Sequence, residues 1–66
     1  MHNILPGREI IFEVLPMGAI LRVNAMDVVT AVEITIQAPL GTAEVIWQRN
    51  AAKRLAYVLR KKGLIE

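Results

Sequence analysis

Residues 31–38 read AVEITIQA, which is the clearest strand pattern in the chain. Apolar and polar side chains alternate along this segment with a period of two, and the apolar set is Val32, Ile34 and Ile36. That period is typical of a β-strand with one buried face and one solvent-facing face. The segment ends at Pro39-Leu40-Gly41, where proline and glycine disfavour continuation of a strand.

Two further strand patterns precede this segment, at residues 8–15 (REIIFEVL) and 19–26 (AILRVNAM). The side chains expected on their buried faces are Ile10, Phe12, Val14, Leu21 and Val23. Turn-forming residues separate the strands: Pro16-Met17-Gly18 after the first, and a break from Asp27 to Thr30 after the second. Short connections of this kind predict an antiparallel meander of three strands, at about 8–15, 19–26 and 31–38.

Matching the apolar faces gives an expected register for each hairpin. Leu15 pairs with Ile20, which leaves a four-residue loop and places Glu13 opposite Arg22. Met26 pairs with Ala31, which leaves a second four-residue loop. Asn24 then faces Glu33, and Arg22 faces Thr35.

Residues 43–62 follow a helical pattern. Thr42 is the expected N-cap, and Gly63 the residue just after the helix. The apolar stripe, at helical spacing, comprises Trp47, Ala51, Leu55, Val58 and Leu59. We therefore predict one α+β domain over residues 1–66, a three-stranded antiparallel β-meander followed by one C-terminal α-helix packed on one face (βββα). The core should join that stripe to Ile10, Phe12, Val14, Leu21, Val23, Val32, Ile34 and Ile36.

Length and composition exclude several kinds of protein. The 66 residues contain no cysteine, so disulfides, thiolate metal sites and cysteine nucleophiles are ruled out. With 55% hydrophobic residues the chain is not of the disordered type. Charges interrupt every window of about 20 residues, the length that a membrane-spanning helix needs. Residues 1–6 lack the features of a signal peptide, so we expect a cytoplasmic protein.

Residues suited to catalysis are sparse. His2 is the single histidine and lies at the terminus, where an incidental role is expected. Glu9 and Glu13 share a strand face, but four residues of strand separate them by about 13 Å, which is far for paired acid–base chemistry. No glycine pattern resembles a phosphate-binding loop. We therefore expect no enzymatic activity, no small-molecule substrate, no cofactor and no metal site.

Basic residues concentrate in the helix, although the net charge is only +2. Candidate contacts for an anion or nucleic acid are Arg49, Lys53, Arg60 and Lys61. Tyr57 beside them could stack on a base. The alternative interpretation is a solvated helix face whose last turn complements the helix dipole. The low net charge and the acidic sheet favour that second interpretation, so nucleic-acid binding stays the alternative function.

Four apolar residues interrupt otherwise polar faces: Ile11 and Ile20 on the sheet, and Ile46 and Tyr57 on the helix. With two open sheet edges and a core that is marginal at this length, they predict an interface and a homodimer. Edge strands could pair into a continuous six-stranded sheet, or partners could exchange an element such as the helix. The short hinge at Pro39-Leu40-Gly41 favours exchange.

The chain resembles a family of short, uncharacterised alphaproteobacterial proteins, a domain of unknown function. Three segments carry the resemblance, residues 22–27 (RVNAMD), 33–39 (EITIQAP) and 48–63 (QRNAAKRLAYVLRKKG), and with the first strand it spans residues 8–63. The resemblance implies a strand meander closed by one helix and supplies no catalytic residue. In the family pattern a proline follows the aspartate and a glycine precedes the glutamate strand. Val28 and Ala31 occupy those places here, so the resemblance implies the meander but not the exact type of the second turn.

Overall fold

A computed structural model describes residues 5–66 as one sheet with one helix against it. The strands are β1 (Ile10–Met17), β2 (Ile20–Asp27) and β3 (Glu33–Pro39), and the helix is α1 (Glu44–Lys61). The strands are antiparallel in the order β1-β2-β3, and α1 packs on one face. The predicted βββα architecture is confirmed, with element bounds shifted by one or two residues.

The first hairpin is tighter than the sequence predicted. Met17 pairs with Ile20, so the loop contains only Gly18 and Ala19. The predicted pairing of Leu15 with Ile20 is wrong, because Leu15 faces Arg22 and Glu13 faces Asn24. Gly18 explains the difference, since its φ of 61° supplies the positive value that a two-residue hairpin needs at its first position. Pro16 can continue the strand because β1 is an edge strand.

The second hairpin is also shifted by two residues. Met26 faces Glu33 rather than Ala31, and Thr35 faces Asn24 rather than Arg22. Asp27 stays in the ladder: its backbone N–H donates to the Val32 carbonyl at 2.9 Å, and residues 28–31 form the loop. Both shifts are even numbers of residues, so every side chain keeps the face that the sequence predicted.

The core lies between α1 and the strands β2 and β3. Buried residues are Leu5, Leu21, Val23, Ala25, Ile34, Ala38, Trp47, Ala51, Leu55, Ala56 and Leu59. The predicted core members Ile10, Phe12, Val32, Ile36 and Val58 are partly buried against this cluster. Val14 was predicted in the core and is not, because its side chain is 43% exposed. A helix about 10 Å wide covers about two strands spaced 4.8 Å apart, so the third strand is covered only in part.

The two ends of α1 differ in how well they are capped. The N-cap is Ala43, which makes no side-chain capping bond, so the predicted N-cap Thr42 is wrong. Thr42 instead closes a turn by donating its N–H to the Pro39 carbonyl at 3.0 Å. Gly63 follows the helix as predicted, with a φ of 73°. The N–H groups of Gly63 and Leu64 donate to the carbonyls of Arg60 and Leu59, which is the Schellman arrangement.

Candidate interaction site

The four predicted interface residues do not form one surface. Ile11, Ile46 and Tyr57 are exposed, and Ile20 is partly buried. Ile11 and Ile20 lie on the open face, meaning the sheet face away from α1, whereas Ile46 and Tyr57 lie on the helix. Ile20 pairs with Met17, six residues along β1 from Ile11, so about 20 Å separates the two on the sheet. Each pair must therefore be considered separately.

The second half of β1 carries the densest group of exposed apolar side chains on the sheet. Leu15 is 57% exposed and Met17 46% exposed on the open face, while Val14 is uncovered on the helix side. We call Ile11, Val14, Leu15 and Met17 the β1 patch. A shallow depression of about 310 Å³ lies beside it, lined by Glu13, Val14, Leu15, Arg22 and Asn24. Of these four residues, the sequence analysis identified only Ile11 as part of an interface. The others could have been expected from the fold, because one helix is too narrow to cover three strands.

The backbone of β1 adds to this patch hydrogen-bonding groups that have no partner within residues 5–66. Val28 donates its N–H to the Glu9 carbonyl at 3.1 Å, so the odd-numbered residues of β1 are those that bond to β2. By the alternation of an antiparallel ladder, the N–H and C=O groups of Ile10, Phe12 and Val14 point outward from the edge. Pro16 has no N–H and ends the outward-facing donors.

The other sheet edge, at β3, is built differently. Leu40 donates its N–H to the Ala19 carbonyl at 3.0 Å, which leaves Glu33, Thr35 and Gln37 with outward-pointing amides. These three side chains are polar and lie on the open face, and Pro39 ends the strand. On the helix side of β3, Ile34 and Ala38 are buried under α1. The two edges therefore differ in the exposure of their apolar side chains.

A polar ladder crosses the open face between its apolar ends. The Asn24 amide donates to the Glu13 carboxylate at 3.4 Å, and the Thr35 hydroxyl donates to the Asn24 side-chain oxygen at 2.8 Å. Glu13, Asn24 and Thr35 face one another across the three strands. This ladder fixes the Glu13 carboxylate at the centre of the β1 edge.

The basic helix face is exposed throughout: Arg49, Lys53, Arg60 and Lys61 all reach solvent. Arg49, Lys53 and Arg60 lie within about 40° of one another around the helix axis. Part of this charge is engaged internally, because the Arg60 Nε donates to the main-chain oxygen of Glu66 at 3.1 Å.

The ring of Tyr57 is already in contact with cations. The Arg54 guanidinium lies 5.3 Å from the ring centroid, and the Lys61 ammonium lies 5.6 Å from it. Lys61 also approaches the Tyr57 hydroxyl at 3.4 Å. The predicted stacking position for a base is thus shared with side chains of the same helix.

The one buried carboxylate of the described residues has a structural environment. Asp27 is 0% exposed and accepts hydrogen bonds from Arg8 and Thr30. These bonds, with that of Arg8 the strongest, lower the pKa of Asp27 to about 2. The Asp27 carboxylate therefore stabilises the fold through these hydrogen bonds and is not available as an acid or base at neutral pH.

Other kinds of site find no support in residues 5–66. No group of three His, Cys, Asp or Glu side chains in that range could hold a metal ion. No helix in the same range is long and apolar enough to cross a membrane. His2 lies outside the described residues.

A family comparison matches residues 7–62 to the family described as Domain of unknown function (DUF6898). The chain belongs to that family. The match covers nearly the same residues as the resemblance noted from the sequence; restriction of DUF6898 to alphaproteobacteria stays a prediction. No curated protein matches the chain, and no solved structure does.

Proposed function

We propose that this DUF6898 protein is a non-enzymatic cytoplasmic interaction module that self-associates as a homodimer. The observation that carries the proposal is the β1 edge, where free backbone amides adjoin the exposed side chains of Val14, Leu15 and Met17. Natural proteins normally cover, shorten or charge such an edge, because it is a template for pairing with another chain. A second copy would cover it.

The size of the chain supports the same proposal. A domain near 60 residues buries only about 60% of the surface that its unfolded chain exposes, so its core is marginal. Burying apolar surface contributes about 25 cal/mol per Å², so the exposed part of Val14 at this edge is a reserve of stabilisation. Two-fold symmetric pairing is the commonest way for such a chain to use it.

Solution mass tests the proposal directly. We expect a mass twice the 7.4 kDa of one chain, and a melting temperature that falls on dilution. Leu15→Glu should shift the mass toward one chain. Leu40→Glu is the matched control, because Leu40 is about as exposed but lies beyond the sheet. A mass of one chain at every concentration, with a concentration-independent melting temperature, contradicts self-association.

Exchange of the helix is the competing dimer geometry. The link from β3 to α1 is only four residues, 40–43, so α1 of one chain could pack on the sheet of its partner. An exchanged helix leaves the β1 edge free. Leu15→Glu should then leave the mass doubled, which separates the two geometries.

Nucleic-acid binding is the second candidate function, favoured by the alignment of Arg49, Lys53 and Arg60 on one exposed face. The prediction is an affinity that falls steeply with salt, because phosphate contacts release counterions. Lys53→Glu should abolish binding at low salt, whereas Arg22→Glu on the open sheet face should change it little. Tyr57→Ala should cost about 1–3 kcal/mol if a base stacks there. Absence of binding by the unchanged protein at low salt rules this function out.

A further inference from the structure

We infer that the dimer forms by antiparallel pairing of β1 with β1 of a second copy, on a two-fold axis that passes beside Phe12. The inference rests on the proposed self-association and specifies its geometry. It produces a six-stranded sheet with both helices on the same face. Backbone direction, charge and one proline together select this register.

Backbone direction restricts the choice first. Only the even-numbered residues of β1 point their amides outward, so an outward residue must face an outward residue of the partner. Near the middle of the exposed edge, a two-fold axis that meets this condition passes beside Ile11, Phe12 or Glu13. The three registers differ by steps of two residues between the chains.

Charge excludes two of these three axes. An axis at Ile11 places Glu9 opposite Glu13 of the partner subunit. An axis at Glu13 places that carboxylate opposite its own copy. Like charges directly opposite each other across a strand pair are destabilising. The Asn24 amide at 3.4 Å holds the Glu13 carboxylate on the open face, which limits its escape from such a contact.

Pro16 gives an independent reason against the Glu13 axis. That register would place Pro16 opposite Ile10 of the partner subunit, where the ladder requires an N–H that proline lacks. With the axis at Phe12, Pro16 falls outside the bonded stretch. The outward N–H and C=O groups of Ile10, Phe12 and Val14 in each chain then find a partner.

Side-chain packing favours the same axis. Ile10 faces Val14 of the partner subunit on the helix side of the sheet, which covers the predicted core residue that α1 leaves exposed. Phe12 faces its own copy. Its ring packs edge-on against Trp47, with centroids 6.0 Å apart and planes at 67°, so the contact connects the two cores across the interface on the helix side of the sheet.

Single-cysteine variants test the register, because the chain has no cysteine of its own. With the axis at Phe12, residue 11 lies opposite residue 13 of the partner at a Cα separation of about 4.5 Å, within the range of a disulfide. Ile11→Cys and Glu13→Cys chains, refolded together and oxidised, should give a covalent dimer. Either variant alone should give little, since like positions are offset by two residues and exceed about 7 Å. Ile11→Cys mixed with Thr35→Cys, on β3, is the control for random oxidation.

Each other outcome identifies a different error. Efficient cross-linking of Ile11→Cys alone, or of Glu13→Cys alone, moves the axis and overturns the Phe12 register. A doubled mass without cross-linking in the mixture overturns the β1 interface and leaves self-association standing. A mass of one chain overturns the proposed function itself.

Amide hydrogen exchange on the unchanged protein provides a test that no variant can confound. The N–H groups of Ile10, Phe12 and Val14 should exchange slowly at high protein concentration and quickly after dilution. The outward amides of Thr35 and Gln37 on β3 should exchange quickly at both concentrations. Rapid exchange at Phe12 in a sample of doubled mass is incompatible with the inferred interface.

Discussion

Arg8 holds the carboxylate of Asp27 with two hydrogen bonds, from Nε to Oδ1 at 3.0 Å and from Nη2 to Oδ2 at 2.7 Å. The pair joins the residues just before β1 to the last residue of β2. Thr30 completes the site by donating its backbone N–H at 3.1 Å and its hydroxyl at 2.6 Å to the same carboxylate. The sequence predicted a break from Asp27 to Thr30; the Asp27 carboxylate bonds Thr30 within that turn and also holds Arg8, just before the first strand.

The pKa of Asp27 makes stability depend on acid pH. Its folded value of about 2 lies below the usual value of 3.8, so its contribution is fully present above about pH 4 and is lost as the pH falls toward 2. We expect the melting temperature to fall between pH 5 and pH 2, measured by circular dichroism. Asp27→Asn should lower stability at pH 7 by about 3 kcal/mol and flatten this dependence. Glu33→Gln, at an exposed carboxylate, is the control; an equal pH dependence in both variants would contradict the assignment.

Leu55 is fully buried at the centre of the contact between α1 and the sheet. Leu55→Ala should destabilise the protein by about 2–5 kcal/mol, because it leaves a cavity where one helix covers two strands. Urea unfolding measures the change. Leu40→Ala should cost little, since Leu40 is exposed and its backbone bond to Ala19 is kept. Equal midpoints for the two variants would show that α1 does not pack as described.

Ala31 occupies a left-handed conformation, with a φ of 60°. That conformation costs a non-glycine residue about 1–2 kcal/mol, and glycine adopts it freely at an entropic cost of about 0.5–1 kcal/mol. Ala31→Gly should therefore stabilise the fold by about 0.5–1 kcal/mol. Ala52→Gly, the same change inside α1, should instead destabilise it by about 1 kcal/mol. Opposite shifts in melting temperature are the expected result, and a loss at both positions would rule out strain in the turn.

The N-terminus of α1 offers a second stabilising change. Ala43 has the extended backbone of an N-cap but no side-chain oxygen to accept a free helix N–H. Ala43→Ser should add about 0.5–2 kcal/mol to the free energy of unfolding. Ala43→Val is the control, because valine is equally unable to accept the bond. No difference between the serine and valine variants in thermal unfolding would mean that water already satisfies the helix end.

Sequence reasoning predicted the faces of the strands but not their register. The face on which a strand residue lies follows from the alternation of apolar and polar side chains, which is visible in the sequence of segments such as residues 31–38. Register depends on turn geometry, and here Gly18 and Ala31 determine it through positive φ values that the sequence does not display. Val14 shows the same division: its face was predicted, but its exposure depends on how far α1 reaches across the sheet.

The candidate site was predicted less well than the fold for a related reason. Ile11 and Ile20 were singled out because they break a polar alternation, which is a property of single strands. The β1 patch arises from the position of a whole strand relative to α1, and Met17 belongs to it only once the shorter hairpin is known. The extent to which α1 covers each strand cannot be read from the alternation pattern of a single strand.

The polar β3 edge has a consequence for growth of the assembly. A protein with two equally adhesive edges would add copies at both ends and polymerise into a fibre. Here the far edge has polar side chains on its open face, and its Ile34 and Ala38 are buried under α1, so it offers little apolar surface to a further strand. In the inferred dimer, isologous contact through β1 would occupy the adhesive edge of each copy, so we expect growth to stop at two chains. Glu33→Val should remove part of that termination and allow higher oligomers to form.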